Sequence, residues 1–156
     1  MPFATSLDTW LIASAWLASN SFGFNMSDLG ISSFWTIPLG YLMTLFHHGY
    51  LFRDLRRDPS VPIRGVYKFL FPCLVLPWIV GGIMSIHSAV FHYELFRIQG
   101  GIMSSDMIAI AQTIGGGMAL IEAGLIVVIC VKCTKFKANA SLSKLTDDFE
   151  KAGDRD

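Results

Sequence analysis

Glu122 stands inside the apolar run "IGGGMALIEAGL", residues 114–125. A carboxyl in such a run is rare and costly in a bilayer, and the chemistry it could do is that of a proton site, a cation site or an acid catalyst. Four histidines, His47, His48, His87 and His92, are the residue type that ligates metals and moves protons near neutral pH. Cys130-Val131-Lys132-Cys133 has C-x-x-C spacing. That spacing serves dithiol chemistry beside a βαβ pattern, and a cysteine next to a membrane span serves reversible acylation. Asn25-Met26-Ser27 and Asn139-Ala140-Ser141 match the N-glycosylation acceptor pattern.

What these groups can do depends on what carries them. The chain has 156 residues, 53% hydrophobic and only 15% charged. A soluble domain carries about 25% charged residues. The mean hydropathy is +0.51. The net charge is zero, which removes the electrostatic argument for a nucleic-acid partner. Three cysteines give no even disulfide framework.

Apolar runs at about 7–24, 31–52, 69–91 and 107–131 are each long enough, or nearly so, to cross a bilayer as a helix. The expected fold class is all-α, a transmembrane four-helix bundle. Residues 1–131 form the four-span domain and 132–156 a polar cytoplasmic tail. The first run is short and holds Ser14, Ser19, Asn20 and Ser21. Its leading segment "MPFATSLD" lacks Lys and Arg, so it reads as a retained span rather than a cleaved signal peptide. All Lys and Arg except Arg97 fall between spans two and three or after span four. Cytoplasmic flanks collect these residues, so both termini and the middle loop are expected on the cytoplasmic side. The middle loop carries Pro59 and Pro62 and is expected to be mostly irregular. In the tail, Leu142, Leu145 and Phe149 have the spacing of a short amphipathic helix. Pro38, Pro72 and Pro77 fall within spans and favour bends in them.

On a helical wheel, Ala111, Gly115 and Ala119 of span four share an arc with Glu122, and Gln112 lies at its edge. Ile110, Ile114, Met118, Ile121, Leu125 and Val128 fill the opposite arc and suit lipid. Gly81, Ser85, Ser88 and Ala89 line one side of span three with Trp78. Ala15, Ser19 and Gly23 recur every four residues in span one. Small residues let membrane helices approach closely. Glu122 should therefore point into a helix contact. Ser14, Tyr41 and Thr44 lie at a comparable depth and, with Gln112, complete a candidate intramembrane polar site. The first reading is a neutral carboxyl that ties helices together, and the alternative is a proton or cation site.

The four histidines divide into two ends under this topology. His47 and His48 belong to the cytoplasmic end of span two, and His87 and His92 to the outer end of span three. They should lie some 20 Å apart along the membrane normal. Metal–ligand bonds of about 2 Å exclude one shared site, so neither a metal nor another cofactor is expected. No Ser/His/Asp set converges at one depth, and no catalytic residue is assigned. Cys130 and Cys133 are candidates for lipidation. The triple glycine lies within the membrane, which excludes a phosphate loop.

The run "IPLGYLMTLFHHGYLF", the four-span plan and the basic middle loop resemble small tetraspan membrane proteins of fungal type with a MARVEL-like plan. The resemblance implies a membrane-organising or trafficking role, and no family active site carries over. Three functions compete. A non-enzymatic integral membrane protein, organising membrane or partner proteins through its small-residue faces, leads because no chemistry converges. A channel or transporter subunit with Glu122 as proton or cation site is the second. An enzyme acting on lipid, with Glu122 or His48 as acid or base, is the third. The partners are the lipid bilayer and, beyond it, further copies of the chain or other membrane proteins. Localisation is integral and multi-pass, with no distinction between plasma membrane and endomembrane.

Overall fold

The computed structural model describes residues 2–31, 33–57, 65–91 and 105–153, and within them the side chains of 7–27, 29–31, 33–54, 56–57, 66–67, 69–91 and 106–134. Among the described residues the protein is all-helical, with four α-helices and no strand. They are α1 (Pro2–Asn25), α2 (Thr36–Arg57), α3 (Gly65–Phe91) and α4 (Ser105–Gly153). A short 3-10 turn, Met26–Asp28, follows α1.

The helices pack in a ring, α1 on α2, α2 on α3, α3 on α4 and α4 back on α1. Named contacts give their directions. Ser14 and Ser21 of α1 meet Glu122 and Gly115 of α4 in reverse order. His47 and Thr44 of α2 meet Tyr67 and Trp78 of α3, again reversed. Each helix therefore runs antiparallel to the next, as short connections between neighbours favour.

Two helices hold segments long and apolar enough to cross a membrane, Phe69–Phe91 and Asp106–Thr134. Only 33% and 39% of their most apolar windows is buried inside the molecule, so most of that apolar surface faces outward. A core helix of a soluble protein would hide most of it.

Several elements differ from the sequence expectation. The second apolar run begins at Ile31, yet α2 begins at Thr36. Gly30 (φ 77°), Phe34 (φ 48°) and Trp35 (φ 59°) adopt left-handed backbone that no α-helix contains. Backbone bonds lock this turn, Trp35 N–H to the Gly30 carbonyl and Thr36 N–H to that of Ser33, both 3.0 Å. Pro38 consequently falls in the first turn of α2, where its missing N–H costs nothing and no bend results. Pro72 and Pro77 do sit inside α3. The middle loop is less irregular than its prolines suggest, because α2 runs to Arg57 and α3 starts at Gly65; Pro59 and Pro62 lie outside the described residues. The tail is not a separate element, since α4 continues unbroken to Gly153.

Close contacts between helices use glycine. A Cβ on Gly81 would lie 2.5 Å from Cγ1 of Ile37, and one on Gly115 would lie 2.9 Å from Cβ of Phe24. Ala119, Ser85 and Trp78 are fully buried beside them, with Ala111 nearly so. Gly82 and Gly116, outside the small-residue arcs read from the sequence, stand face to face between α3 and α4. Gly117 has open space around it. The strip expected on α1 is wrong: Ser19 and Gly23 are exposed, and nothing stands within 4 Å of a Cβ on Gly23. The inner face of α1 is Leu7, Leu11, Ser14, Ala18, Ser21 and Asn25.

Candidate functional site

The interior holds two polar clusters separated by apolar packing. The first is built on Glu122. Antiparallel α1 and α4 bring the Ser14 hydroxyl onto Oε1 of Glu122, which accepts its hydrogen bond when ionised. The same Ser14 Oγ lies 2.8 Å from Nε2 of His48, on α2. Nδ1 of His48 lies 3.2 Å from Nδ1 of His47, and Nε2 of His47 lies 3.3 Å from the Tyr67 carbonyl of α3. One hydrogen-bonded chain thus touches all four helices. Glu122 and Ser14 have no exposed surface, and His48 and His47 almost none. Oε2 of Glu122 is buried with no hydrogen-bond partner.

His47 is held edge-on by Phe71 and Tyr67, with ring centroids 4.7 and 5.7 Å away. The Tyr67 hydroxyl donates to Oδ2 of Asp54 at 2.7 Å, beside the end of α2 that carries Arg56 and Arg57. The polar chain therefore begins near the basic end of the molecule and ends at Glu122.

The second cluster lies toward the other end. Ser85 of α3 is 2.6 Å from Oδ1 of Asn25 and 2.5 Å from Oε1 of Gln112, and donates its single hydrogen to one of them at a time. Gln112 donates to Ser27 at 3.1 Å. Asn25 donates to the Ser21 carbonyl at 2.9 Å, and Ser21 to the Gly115 carbonyl at 2.8 Å. This cluster contains no group that titrates near neutral pH. It also buries Asn25 completely, so the acceptor pattern at 25–27 has no accessible amide. An apolar cavity of about 580 Å³ opens at this same end, lined by Phe24, Met26, Met107, Ile110 and Ile114.

Of the residues proposed to surround Glu122, only Ser14 touches it. Gln112 belongs to the second cluster. Thr44 instead accepts from Nε1 of Trp78 at 2.9 Å, and Tyr41 stacks on Phe22 at 4.6 Å between centroids. His48 is the member that depth-matching left out, and it makes a Ser/His/Glu convergence where none was expected. The histidine pair looked terminal because the apolar run stops at Phe52; with α2 reaching Arg57, His48 lies well inside its helix. The convergence is not a nucleophile triad. In a triad the histidine stands between serine and carboxylate, whereas here Ser14 stands between His48 and Glu122.

His87 is exposed and stacks on Phe91 at 4.6 Å, more than four turns of α3 beyond the His47 contact at Phe71. His92 lies outside the described residues. Among the described residues no three His, Cys, Asp or Glu side chains are grouped to hold a metal ion. None of the three cysteines forms a disulfide among the described residues. Among the described residues Cys133 is fully buried in the core and Cys130 half-buried.

No family model matches the chain, and it has no match among curated proteins or solved structures.

Proposed function

We propose that the chain is a multi-pass integral membrane protein, a four-span bundle with both termini in the cytoplasm, that organises membrane or partner proteins without catalysis. One observation carries this reading: polar side chains are buried in the interior while large apolar side chains cover the outside. Ser14, Ser21, Asn25, Thr44, Ser85, Gln112 and Glu122 have no exposed surface, while Trp16, Phe46, Phe69 and Phe91 are 65–76% exposed. In water that surface would be an aggregation hazard; in lipid it is the solvent-facing side.

The two less apolar helices fit the same scheme. α1 and α2 supply Ser14, Ser21, Asn25, Thr44, His47 and His48 to the interior, which lowers their hydropathy without exposing polar groups to lipid. Three polar groups that face outward bond back to their own helix. Ser19 donates to the Ala15 carbonyl and Asn20 to that of Trp16, both at 2.8 Å, and Thr113 donates to that of Ala109 at 2.8 Å. A bilayer demands this internal satisfaction. Exposed Phe34 and Trp35 at the α1–α2 turn suit the membrane–water interface. The basic residues at the opposite end support a cytoplasmic assignment for it.

Among the described residues Ser14, His48 and Glu122 are almost wholly enclosed, which supports an organiser over an enzyme. The small-residue faces are consumed inside the chain, at Ala111, Gly115 and Ala119 against α1 and α3, and at Gly81 against α2. Partner contacts therefore use the outward arc of α4, where Gly117 and Gly124 have nothing within 4 Å.

Terminal reporters and alkaline extraction test the membrane assignment. Both termini should report cytoplasmic, and the chain should stay in the membrane pellet. Release at alkaline pH, or termini on opposite sides, would sink it. Cysteine cross-linking at Gly117→Cys and Gly124→Cys tests the organising role. Adducts to a second copy or another membrane protein are expected, and monomer alone at both positions would refute it.

A further inference from the structure

We infer that Glu122, Ser14, His48 and His47 form one proton-binding site, filled and emptied from the Tyr67 end of the molecule. It goes beyond the organising role and does not depend on it.

The hydrogen-bond pattern itself dictates where the protons lie. A backbone carbonyl only accepts, so His47 presents Nε2–H to the Tyr67 carbonyl. A neutral His47 then has a bare Nδ1, which needs a donor. That donor is Nδ1–H of His48, 3.2 Å away. Neutral His48 is left with a bare Nε2, which must accept from Ser14 at 2.8 Å. The Ser14 hydroxyl is thereby used, and its oxygen can only accept from Oε1 of Glu122. With both imidazoles neutral, the chain closes only when Glu122 is a carboxylic acid. Every donor then points from Glu122 toward Tyr67.

The unpartnered Oε2 of Glu122 fits this assignment. In the acid it is a carbonyl oxygen, which buries at modest cost without a partner. In a carboxylate it would share a full charge with nothing to offset it.

The same chain carries the proton stepwise. The Glu122 proton passes to Ser14 Oγ as the Ser14 proton passes to Nε2 of His48, leaving a carboxylate and an imidazolium. The Nδ1 proton of His48 then passes to Nδ1 of His47, restoring neutral His48. His47 now holds hydrogens on both nitrogens, and transfer of the Nε2 proton to solvent water at the Tyr67 end, forming hydronium, empties the site. No bond other than those to hydrogen changes, and no redox partner enters.

The site has one mouth. The ionisable groups packed near it among the described residues are few. On α2 they are His47, His48, Tyr41 (stacked on Phe22) and Asp54; on α3 only Tyr67, whose hydroxyl donates to Asp54. On α1 the nearest is Asp8, roughly two turns from Ser14. On α4, Lys132 lies over the Trp10 ring at 5.2 Å, also toward the basic end. Beyond Glu122 the interior continues with Ala18 and Ala119, both fully buried, before the amide and hydroxyl cluster at Ser85. Among the described residues the polar chain thus opens toward one end and does not continue past Glu122, which makes this a storage or sensing site rather than a transmembrane conduit.

Isotope-labelled full chain in lipid nanodiscs tests the assignment at neutral pH. Nitrogen chemical shifts should report the Nδ1–H tautomer for His48 and the Nε2–H tautomer for His47. Infrared spectra should show a carboxylic-acid carbonyl band that Glu122→Gln removes. In heavy water that band should shift, and its exchange should slow by about tenfold or more in Ser14→Ala or His48→Phe, the barrier cost of one lost link. Thr44→Val, a polar-core change outside the chain, should exchange at the wild-type rate. An ionised Glu122 beside an imidazolium is the same proton one step along, and also meets the proposal. Ionised Glu122 with both histidines neutral, the opposite tautomer pair with neutral Glu122, or equal exchange in all variants would overturn it. The tautomer measurement needs no variant, so it decides the matter even if His48→Phe does not fold.

Discussion

Gly82 and Gly116 face each other across α3 and α4, each with its carbonyl oxygen where the other's Cβ would stand. A Cβ on Gly82 would lie 2.9 Å from the Gly116 oxygen, and one on Gly116 would lie 2.8 Å from the Gly82 oxygen. Backbone cannot swing aside as a side chain can. Alanine at either position must push the helices apart, at about 1–3 kcal/mol, against a helix-propensity gain of about 1 kcal/mol. Gly116→Ala should therefore lower the unfolding midpoint of the full chain in micelles. Gly117→Ala, with open space around it, should be neutral or stabilising by up to about 1 kcal/mol. Equal gains at both positions would show that the crossing is not this close.

Ser85 holds the second cluster together. Its hydroxyl serves Asn25 and Gln112, both fully buried, and alanine leaves those amides short of a partner. Ser85→Ala should destabilise by about 1–3 kcal/mol. Ser19→Ala is the matched control, since that hydroxyl faces outward and bonds only to its own helix; its effect should stay within about 0.5 kcal/mol. Both values come from the same denaturant titration, and a Ser85 effect no larger than that of Ser19 would contradict the cluster.

Helical class and the inner arc of α4 are legible in the sequence because both rest on periodicity. Ala111, Gly115, Ala119 and Glu122 share an arc at 100° per residue whatever packs against them. Ser14 is within reach as well, since an antiparallel α1 puts it at the depth of Glu122. What periodicity cannot show is rotation about a helix axis. The repeat Ala15, Ser19, Gly23 is as regular as the true inner face of α1, and only its neighbours decide between them. Nor can it show a helix start set by backbone conformation: Phe34 and Trp35 are apolar and look continuous with the helix, yet their positive φ delays it to Thr36. His48 looked terminal for another reason: the apolar run stops at Phe52, while α2 continues to Arg57. The Gly82–Gly116 contact is hidden for a related reason, since both glycines sit beside others and sequence alone does not say which of a pair faces inward.

The three thiols should separate by burial. Cys73 is exposed on the outer surface of α3, Cys130 is half-buried and Cys133 is enclosed. A membrane-permeant maleimide should modify Cys73 first and Cys133 only after unfolding, as read by mass spectrometry of the digested chain. The order follows from access rather than thiol chemistry, so it should persist when the pH is raised. Early modification of Cys133 in the folded chain would mean that the basic end of the bundle opens. That would also expose Cys133 to acylation.

Trp78 and Thr44 offer a test of how the interior prices an unpaired polar group. Nε1 of Trp78 donates to Oγ1 of Thr44 at 2.9 Å, and both residues are fully buried. Thr44→Val keeps the shape but strands an indole N–H, which should cost about 1–3 kcal/mol. Trp78→Phe strands a smaller hydroxyl and also leaves a cavity, so it should cost more than Thr44→Val. Each single variant breaks the same bond, so the double variant should cost less than the two singles together. The difference, about 0.5–3 kcal/mol, is the coupling a double-mutant cycle measures. Strict additivity would mean that the indole finds another partner, and that α2 and α3 are held together at this level by packing alone.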